Sequence, residues 1–478
     1  MIAMFIVARI VGPGVLGTLA FGLAFVSMFL FVADLGLGSA HIKLISEGRD
    51  ESECIGTYAL LKSAVNVLFA VITLGYYLIQ KYILEIPFES REHEIVILIY
   101  LVITTVSQFF LIPSTTFAAK TEQAKQDIPN FIQILLYQIL RVIAAVAGLK
   151  AIGLAFSNLA AVLLVIPVYF YLFKDYKIGR FNRELAKEYF KISLPVIVVI
   201  IVQTLIYSSD RVVLQYLTNS VEVGYYSAGF AISQFIKLIE SSVGLLFFPL
   251  FSGLLANRDF EKLNSSINKY ERFNIVYILP VVAAVSISSD LVVKLALGSK
   301  YTDTIPVLGF INISMYISLI SLPYLNLISG KGLFKLSALI HVWSLAVYFA
   351  AAYLFVSPGM LGLKGTGIAI SLITVNLVLG LTFIYFVGKR IPEIKVLKDK
   401  YLFLFGITFS LLFLAVYNLI PDNIYSHFAA VLIFLAVYFA TGYFGRIFSR
   451  DDYRMVFEII NSRKMFDYIN KEITKKKK

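Results

Sequence analysis

Apolar stretches of near-twenty residues, separated by short charged or Gly/Pro-containing segments, recur from one end of this sequence to the other. A helix of about 20 residues rises about 30 Å, the thickness of a bilayer's hydrocarbon, so each stretch is long enough to cross a membrane. Composition agrees: 59% of the 478 residues are hydrophobic and 15% charged, with mean hydropathy +0.82, where soluble domains are about half apolar and a quarter charged. No polar segment is long enough to enclose a core of its own, so the loops are connectors.

Hydropathy read together with turn and charge signals places spans near residues 1–11, 16–45, 55–80, 95–118, 129–148, 151–173, 192–218, 223–252, 270–297, 304–329, 333–356, 362–388, 401–420 and 424–446. The fold expected is all-α and integral to the membrane, with about fourteen transmembrane helices. The first span is short or truncated, since eleven residues of helix rise only about 16 Å. The apolar opening carries no basic n-region and runs into Arg9 and Gly12-Pro13, so it does not read as a cleavable signal.

Basic residues test the orientation. With the N-terminus in the cytoplasm, 31 of the 42 Lys and Arg fall in inner segments and 5 in outer ones. The remaining 6, Arg9, Lys62, Arg141, Arg211, Lys237 and Lys294, lie within spans. Cytoplasmic loops concentrate positive charge, so both termini are expected in the cytoplasm of a multi-pass protein of the cell membrane. The net charge of +12 then reflects topology and anionic lipid headgroups rather than nucleic acid, and the tail ending in KKKK reads as a membrane-surface segment. Cys54 is the one cysteine, which excludes an intrachain disulfide, and the four histidines His41, His93, His341 and His427 are scattered. No metal-ligand spacing, Walker A loop or cofactor motif appears, and no metal or cofactor is expected.

The start of the chain is echoed later. Arg9 precedes Gly17, Ala20, Gly22 and Ala24, while Arg211 precedes Gly224, Ser227, Gly229 and Ala231, the same G-x-x-small-x-G-x-A pattern at an offset of 207 residues. The division this implies is an N-terminal bundle at 1–173, a basic cytoplasmic linker at 174–191 and a second bundle at 192–388. An additional helix pair at 401–446 and a basic tail at 447–478 complete it.

The run ARIVGPGVLGTLAFGLAF at 8–25, ADLGLG at 33–38, SLP at 193–195, SSDRVVL at 208–214 and EVGYYSAGFAI at 222–232 follow one another in the first half and middle of the chain. LALGSKY at 295–301, P-x-L-x-L-x-S-G-K from Pro323 to Lys331, and GLKGTGIAIS at 362–371 come later. In this order the chain resembles the polysaccharide and O-antigen flippases of the multidrug/oligosaccharidyl-lipid/polysaccharide exporter superfamily. That resemblance implies two pseudo-symmetric six-helix bundles around a central cavity. It also implies translocation of a polyprenyl-(pyro)phosphate-linked oligosaccharide by alternating access, with membrane lipids and polysaccharide-assembly membrane proteins as partners. The alternatives are a multidrug or small-molecule exporter of the same superfamily and, more remotely, a membrane-bound polymerase. No catalytic residues stand out, and the chain does not read as an enzyme.

Ionisable side chains inside the spans cost about 2.5–3.5 kcal/mol each on insertion scales and therefore face a cavity or a partner. An anionic phosphate linkage crossing the membrane needs cations, and arginine bonds phosphate bidentately. Arg141, Arg211 and Lys237 are the candidate cavity cations, with Lys62 at the cytoplasmic entry. Asp34, Asp210 and Glu240 are candidate ion-coupling positions. Against these stand blander roles. Asp210 and Arg211, as sequence neighbours, are expected on different sides of their helix. Lys237 and Glu240, at i and i+3, are placed to neutralise each other, while Arg9, Asp290 and Lys294 sit near span ends where long side chains reach water. Uncharged polar residues such as Gln203 and Asn376 suit either sugar hydroxyls or interhelical bonding, and Tyr207, Tyr225 and Tyr226 suit stacking on sugar rings.

Overall fold

The computed structural model describes residues 2–396, 399–421, 423–449 and 452–453, with side chains at all of these but 195, 196, 199, 240–246, 248 and 249. Its elements are helices, and no strand occurs among the described residues. In hydrocarbon every backbone N–H and C=O must be bonded within its own segment, which a helix achieves without neighbours.

The first part of the chain forms α1 (Ile2–Ser27), α2 (Leu30–Asp34), α3 (Leu37–Ser46), α4 (Glu51–Tyr82), α5 (Arg91–Ala119), α6 (Gln123–Val146) and α7 (Ala151–Phe173). The middle forms α8 (Arg183–Leu217), α9 (Ser220–Ala256), α10 (Phe260–Phe273), a π-helical turn at Asn274–Ile278, α11 (Leu279–Ile287) and α12 (Ser289–Ala296). The last part forms α13 (Thr304–Gly330), α14 (Phe334–Val356), α15 (Lys364–Arg390), α16 (Lys400–Tyr417) and α17 (Ile424–Phe444). Among the described residues, eleven helical segments are long and apolar enough to cross a bilayer. The spans expected at 192–218 and 223–252 lie within α8 and α9, which are 35 and 37 residues long.

Polar side chains start several helices. Asp50 accepts from the Glu53 amide, Asn182 from those of Glu184 and Leu185, Asn219 from that of Glu222, and Asp259 from that of Lys262. Each satisfies an amide that the first helical turn leaves unbonded. The basic segment 174–191 is helical from Arg183 onward, and there Leu185, Ala186 and Tyr189 pack against Leu37, Ala40, Leu44, Cys54, Tyr58, Leu61 and Val65. The predicted tail at 447–478 falls outside the described residues except at 447–449, 452 and 453.

The first two expected spans join and break differently from a pair of rods. Residues 2–11 form a short arm that ends at Gly12 (φ 80°, ψ 174°), and Pro13 begins the second arm of α1. The second span is interrupted again where Leu35 (φ 44°) and Gly36 (φ 73°) turn left-handed between α2 and α3. The Lys62 amine donates to the Ala33 carbonyl at 2.6 Å and to Gln108 Oε1 at 2.7 Å, so the carbonyl beside this break has a partner.

The echoed segments meet. A Cβ on Gly17 would overlap the Ser220 carbonyl, and one on Gly224 would overlap the Pro13 carbonyl. Each glycine thus lies against the residue four positions before its counterpart, a reciprocal contact that only hydrogen side chains allow. At the far side of the molecule Arg272 ties the terminal pair in place, donating to Asp399 at 2.6 Å and to Asp452 Oδ1 at 2.9 Å. Asp290 does the same at the other end of α16 and α17, accepting from Tyr417 at 2.7 Å with His427 at 3.2 Å.

Candidate functional site

Two of the in-span cations come together. A cavity of about 390 Å³ lies between α1, α5, α6, α7, α8 and α9, and Arg141 and Arg211 both line it, with Tyr100, Tyr137, Tyr207, Ser27, Ser208 and Ser227. Arg141 projects from α6 with its guanidinium 5.2 Å from the Tyr137 ring one turn earlier. Among the described residues no carboxylate pairs with it. Arg211 projects from α8, its guanidinium 4.6 Å from Phe230 and 5.5 Å from Tyr226.

Asp210 and Arg211 depart from the sequence reading. Neighbours on a helix point about 100° apart, yet Arg211 Nη1 donates to Asp210 Oδ1 at 3.0 Å, because the long arginine stem folds back along the helix. Asp210 is fully buried and also accepts from the Tyr226 hydroxyl at 2.6 Å and the Arg211 amide at 2.6 Å. Its oxygens are therefore committed to protein partners. The Arg211 side chain keeps 16% of its surface exposed.

Lys237 lines a second cavity of about 110 Å³, with Gln203, Tyr207, Ser318, Ser321, His341 and Asn376. Tyr207 lines both cavities and so forms the boundary between them, and the Lys237 ammonium lies 5.1 Å from its ring. The Glu240 side chain lies outside the described residues. Lys62 lines neither cavity; it is 1% exposed and bonded at the α2–α3 break. Asp34, at the same break, is exposed and makes no hydrogen bond or ion pair among the described residues. Arg9 donates to the carbonyls of Leu295 and Ala296 at the end of α12, and Asp290 and Lys294 stand 3.9 Å apart.

The contact of Gly17 with Ser220 is backed by a side chain. Glu89, in the loop before α5, accepts from the Gln215 amide, from the Ser220 amide at 2.8 Å and from the Ser220 hydroxyl at 3.0 Å. Glu89 thereby holds the turn between α8 and α9. Partial burial pushes its carboxyl up, but the donations from Gln215 and Ser220 outweigh this and hold it below the usual carboxylate range. His93 Nε2 stands 3.7 Å from it and 3.4 Å from Thr18 Oγ1 on α1.

Sequence reasoning also passed over Tyr100, Tyr137, His341 and the buried Glu271, which accepts from Tyr324. For Tyr137 a signal existed, an aromatic ring four residues before an in-span arginine. Glu271 sits at the start of the span expected at 270–297, where a charged residue reads as a loop; the helix in fact begins at Phe260.

Residues 6–306 match the family model described as "Polysaccharide biosynthesis protein". The chain is 26% identical over 155 residues to a protein of Shigella flexneri named "Putative O-antigen transporter"; the match covers 32% of this chain and spans 36% of that protein's length. The fold is that of an inward-facing multidrug resistance MATE family transporter of the MOP superfamily, at TM-score 0.66 and 17% identity over 81% of this chain and 94% of that one. It is also that of the lipid II flippase MurJ in an inward closed conformation, at TM-score 0.64 and 15% identity over 93% of this chain and 98% of that one. With more than half its length matched, the chain belongs to the family described as polysaccharide biosynthesis protein, and its helices are arranged as in these two solved structures.

Proposed function

We propose that this protein is a flippase for a polyprenyl-(pyro)phosphate-linked oligosaccharide, moving it across the cytoplasmic membrane by alternating access. The observation that carries the reading is the arginine cavity, with Arg141 from α6 and Arg211 from α8 on one chamber. A phosphate in low dielectric is strongly disfavoured unless cations and donors meet it. Arg141 supplies a charge with no carboxylate partner among the described residues, and Arg211, partly neutralised by Asp210, supplies directed N–H groups beside aromatic faces. The isoprenoid tail remains in lipid while the linkage and glycan occupy the chamber.

The architecture that goes with this reading is fourteen membrane crossings: two pseudo-symmetric six-helix bundles, 1–173 and 192–388, and the pair at 401–446. Both termini are cytoplasmic. The reciprocal Gly17 and Gly224 contacts support the pseudo-symmetry, and the positive charge of the inner segments supports the orientation. In that orientation the Glu89–Ser220 contacts lie on the outer side of the membrane. Of the ion-coupling candidates, Asp34 is exposed at the α2–α3 break, whereas Asp210 is consumed by Arg211 and Tyr226. Lys62 serves the α2–α3 break rather than substrate entry.

The likeness to MATE transporters favours a second reading, export of a small organic molecule. One experiment separates the two. In vesicles containing the purified protein, a labelled polyprenyl-linked oligosaccharide becomes accessible on the opposite leaflet at a rate that falls at least tenfold in Arg141→Ala. Absence of lipid-linked sugar movement, with uptake of organic cations instead, would establish the exporter reading.

A further inference from the structure

The second cavity differs from the first in the direction of its hydrogen bonds. His341 Nδ1 stands 2.8 Å from the Ser337 carbonyl. A carbonyl only accepts, so Nδ1 carries the proton, and in the neutral ring Nε2 is left as an acceptor. Asn376 Nδ2 donates to the Ser314 carbonyl at 3.1 Å and its hydroxyl at 3.0 Å. The same argument fixes the amide orientation and leaves Oδ1 as the free end. Ser321 donates its hydroxyl proton to the Ile317 carbonyl at 2.8 Å, leaving lone pairs on Oγ. These three residues line one small space.

Acceptors gathered in a membrane interior call for a ligand that donates. A sugar ring offers several hydroxyl protons without charge. The space suits it: about 10–15 Å³ admits one water, so 110 Å³ has the size of a single hexose and not of a chain. Tyr207, 38% exposed, stands at the boundary with the arginine cavity and lines both spaces.

We infer that the Lys237, His341, Asn376 and Ser321 cavity is the subsite for the sugar next to the anionic linkage, which it recognises by accepting hydroxyl protons. The assignment rests on the flippase reading and adds a division of labour to it: Arg141 and Arg211 hold the phosphate, and the acceptor cavity reads the sugar.

The test is binding of two probes to the full-length protein in lipid nanodiscs, a polyprenyl diphosphate and the same lipid carrying one hexose. Wild type binds the hexosyl lipid more tightly. His341→Phe and Asn376→Leu each lose about tenfold of that affinity, the scale of one neutral hydrogen bond, and bind the bare diphosphate as wild type does. Retained binding of the bare lipid shows that the variants are folded. Arg141→Ala weakens both probes. Equal binding of the two probes by wild type, or an unchanged preference in both variants, would overturn the subsite. Failure of wild type to bind either probe would instead overturn the flippase reading itself.

Discussion

The two echoed segments share a backbone solution and diverge in their chemistry. In each, a glycine lies against the carbonyl four residues before its counterpart, so Gly17 and Gly224 make equivalent contacts with Ser220 and Pro13. Each is preceded by an arginine, yet Arg9 reaches the last carbonyls of α12, whereas Arg211 turns toward Asp210 and lines the cavity. The residue before each decides much of this. Ala8 offers Arg9 nothing, and its carbonyl is taken by Tyr301 at 3.1 Å, while Asp210 offers Arg211 a carboxylate. Duplicated packing thus supplies a scaffold, and single polar neighbours assign each half its task.

The sharpest test of the shared scaffold is Gly17→Leu beside Gly224→Leu. Both side chains meet backbone that has no room to move, so each variant should be destabilised by about 3 kcal/mol or more, beyond the usual range of overpacking. Thermal unfolding of the two in detergent should fall together; a large effect at only one glycine would break the equivalence. Next in size is Arg211→Ala, which strands a fully buried carboxylate and should destabilise by about 3–5 kcal/mol. Arg211→Ala combined with Asp210→Asn should recover much of that loss, and no recovery would show that the pair does not act as a unit.

Arg141→Ala removes a cation that pairs with no carboxylate among the described residues. Stability should therefore change little, while flipping falls at least tenfold, equivalent to about 1.4 kcal/mol in the barrier; vesicle assays read it directly. Arg9→Ala should be the mildest, about 0.5 kcal/mol from the lost contact with a helix C-terminus, with transport near wild type. Equal transport defects in Arg9→Ala and Arg211→Ala would erase the contrast drawn between the two segments.

Closure near those glycines also has a pH signature. The Glu89 carboxyl is held below its ordinary value, so its contribution to closure is fully present above the unperturbed carboxylate pKa of about 4.3 and is lost as pH falls through the depressed one. His93, 3.7 Å away, and Glu92 are the neighbouring titratable groups. Labels on the loop before α5 and on the turn between α8 and α9 should separate on acidification of that face, and Glu89→Gln should hold a weakened closure that no longer responds there.

Much of this molecule was written in its sequence. Near-twenty-residue apolar stretches require helices, since no other open chain satisfies its backbone in oil, and Gly12-Pro13 ends the first span where the break is found, whereas the break at Leu35-Gly36 falls inside the span expected at 16–45. The in-span arginines were visible because charge there is so disfavoured. Only the tertiary structure decided where their charged heads lie. A long flexible side chain can fold back on its neighbour, as Arg211 does, or cap a distant helix, as Arg9 does, and helical periodicity fixes the Cα direction but not the far end. Glu89 and Ser220, 131 positions apart, and the acceptors of His341 and Asn376 depend on which carbonyls stand opposite. Hydrophobicity is a property of each segment, whereas the direction of a hydrogen bond belongs to a pair that packing alone brings together.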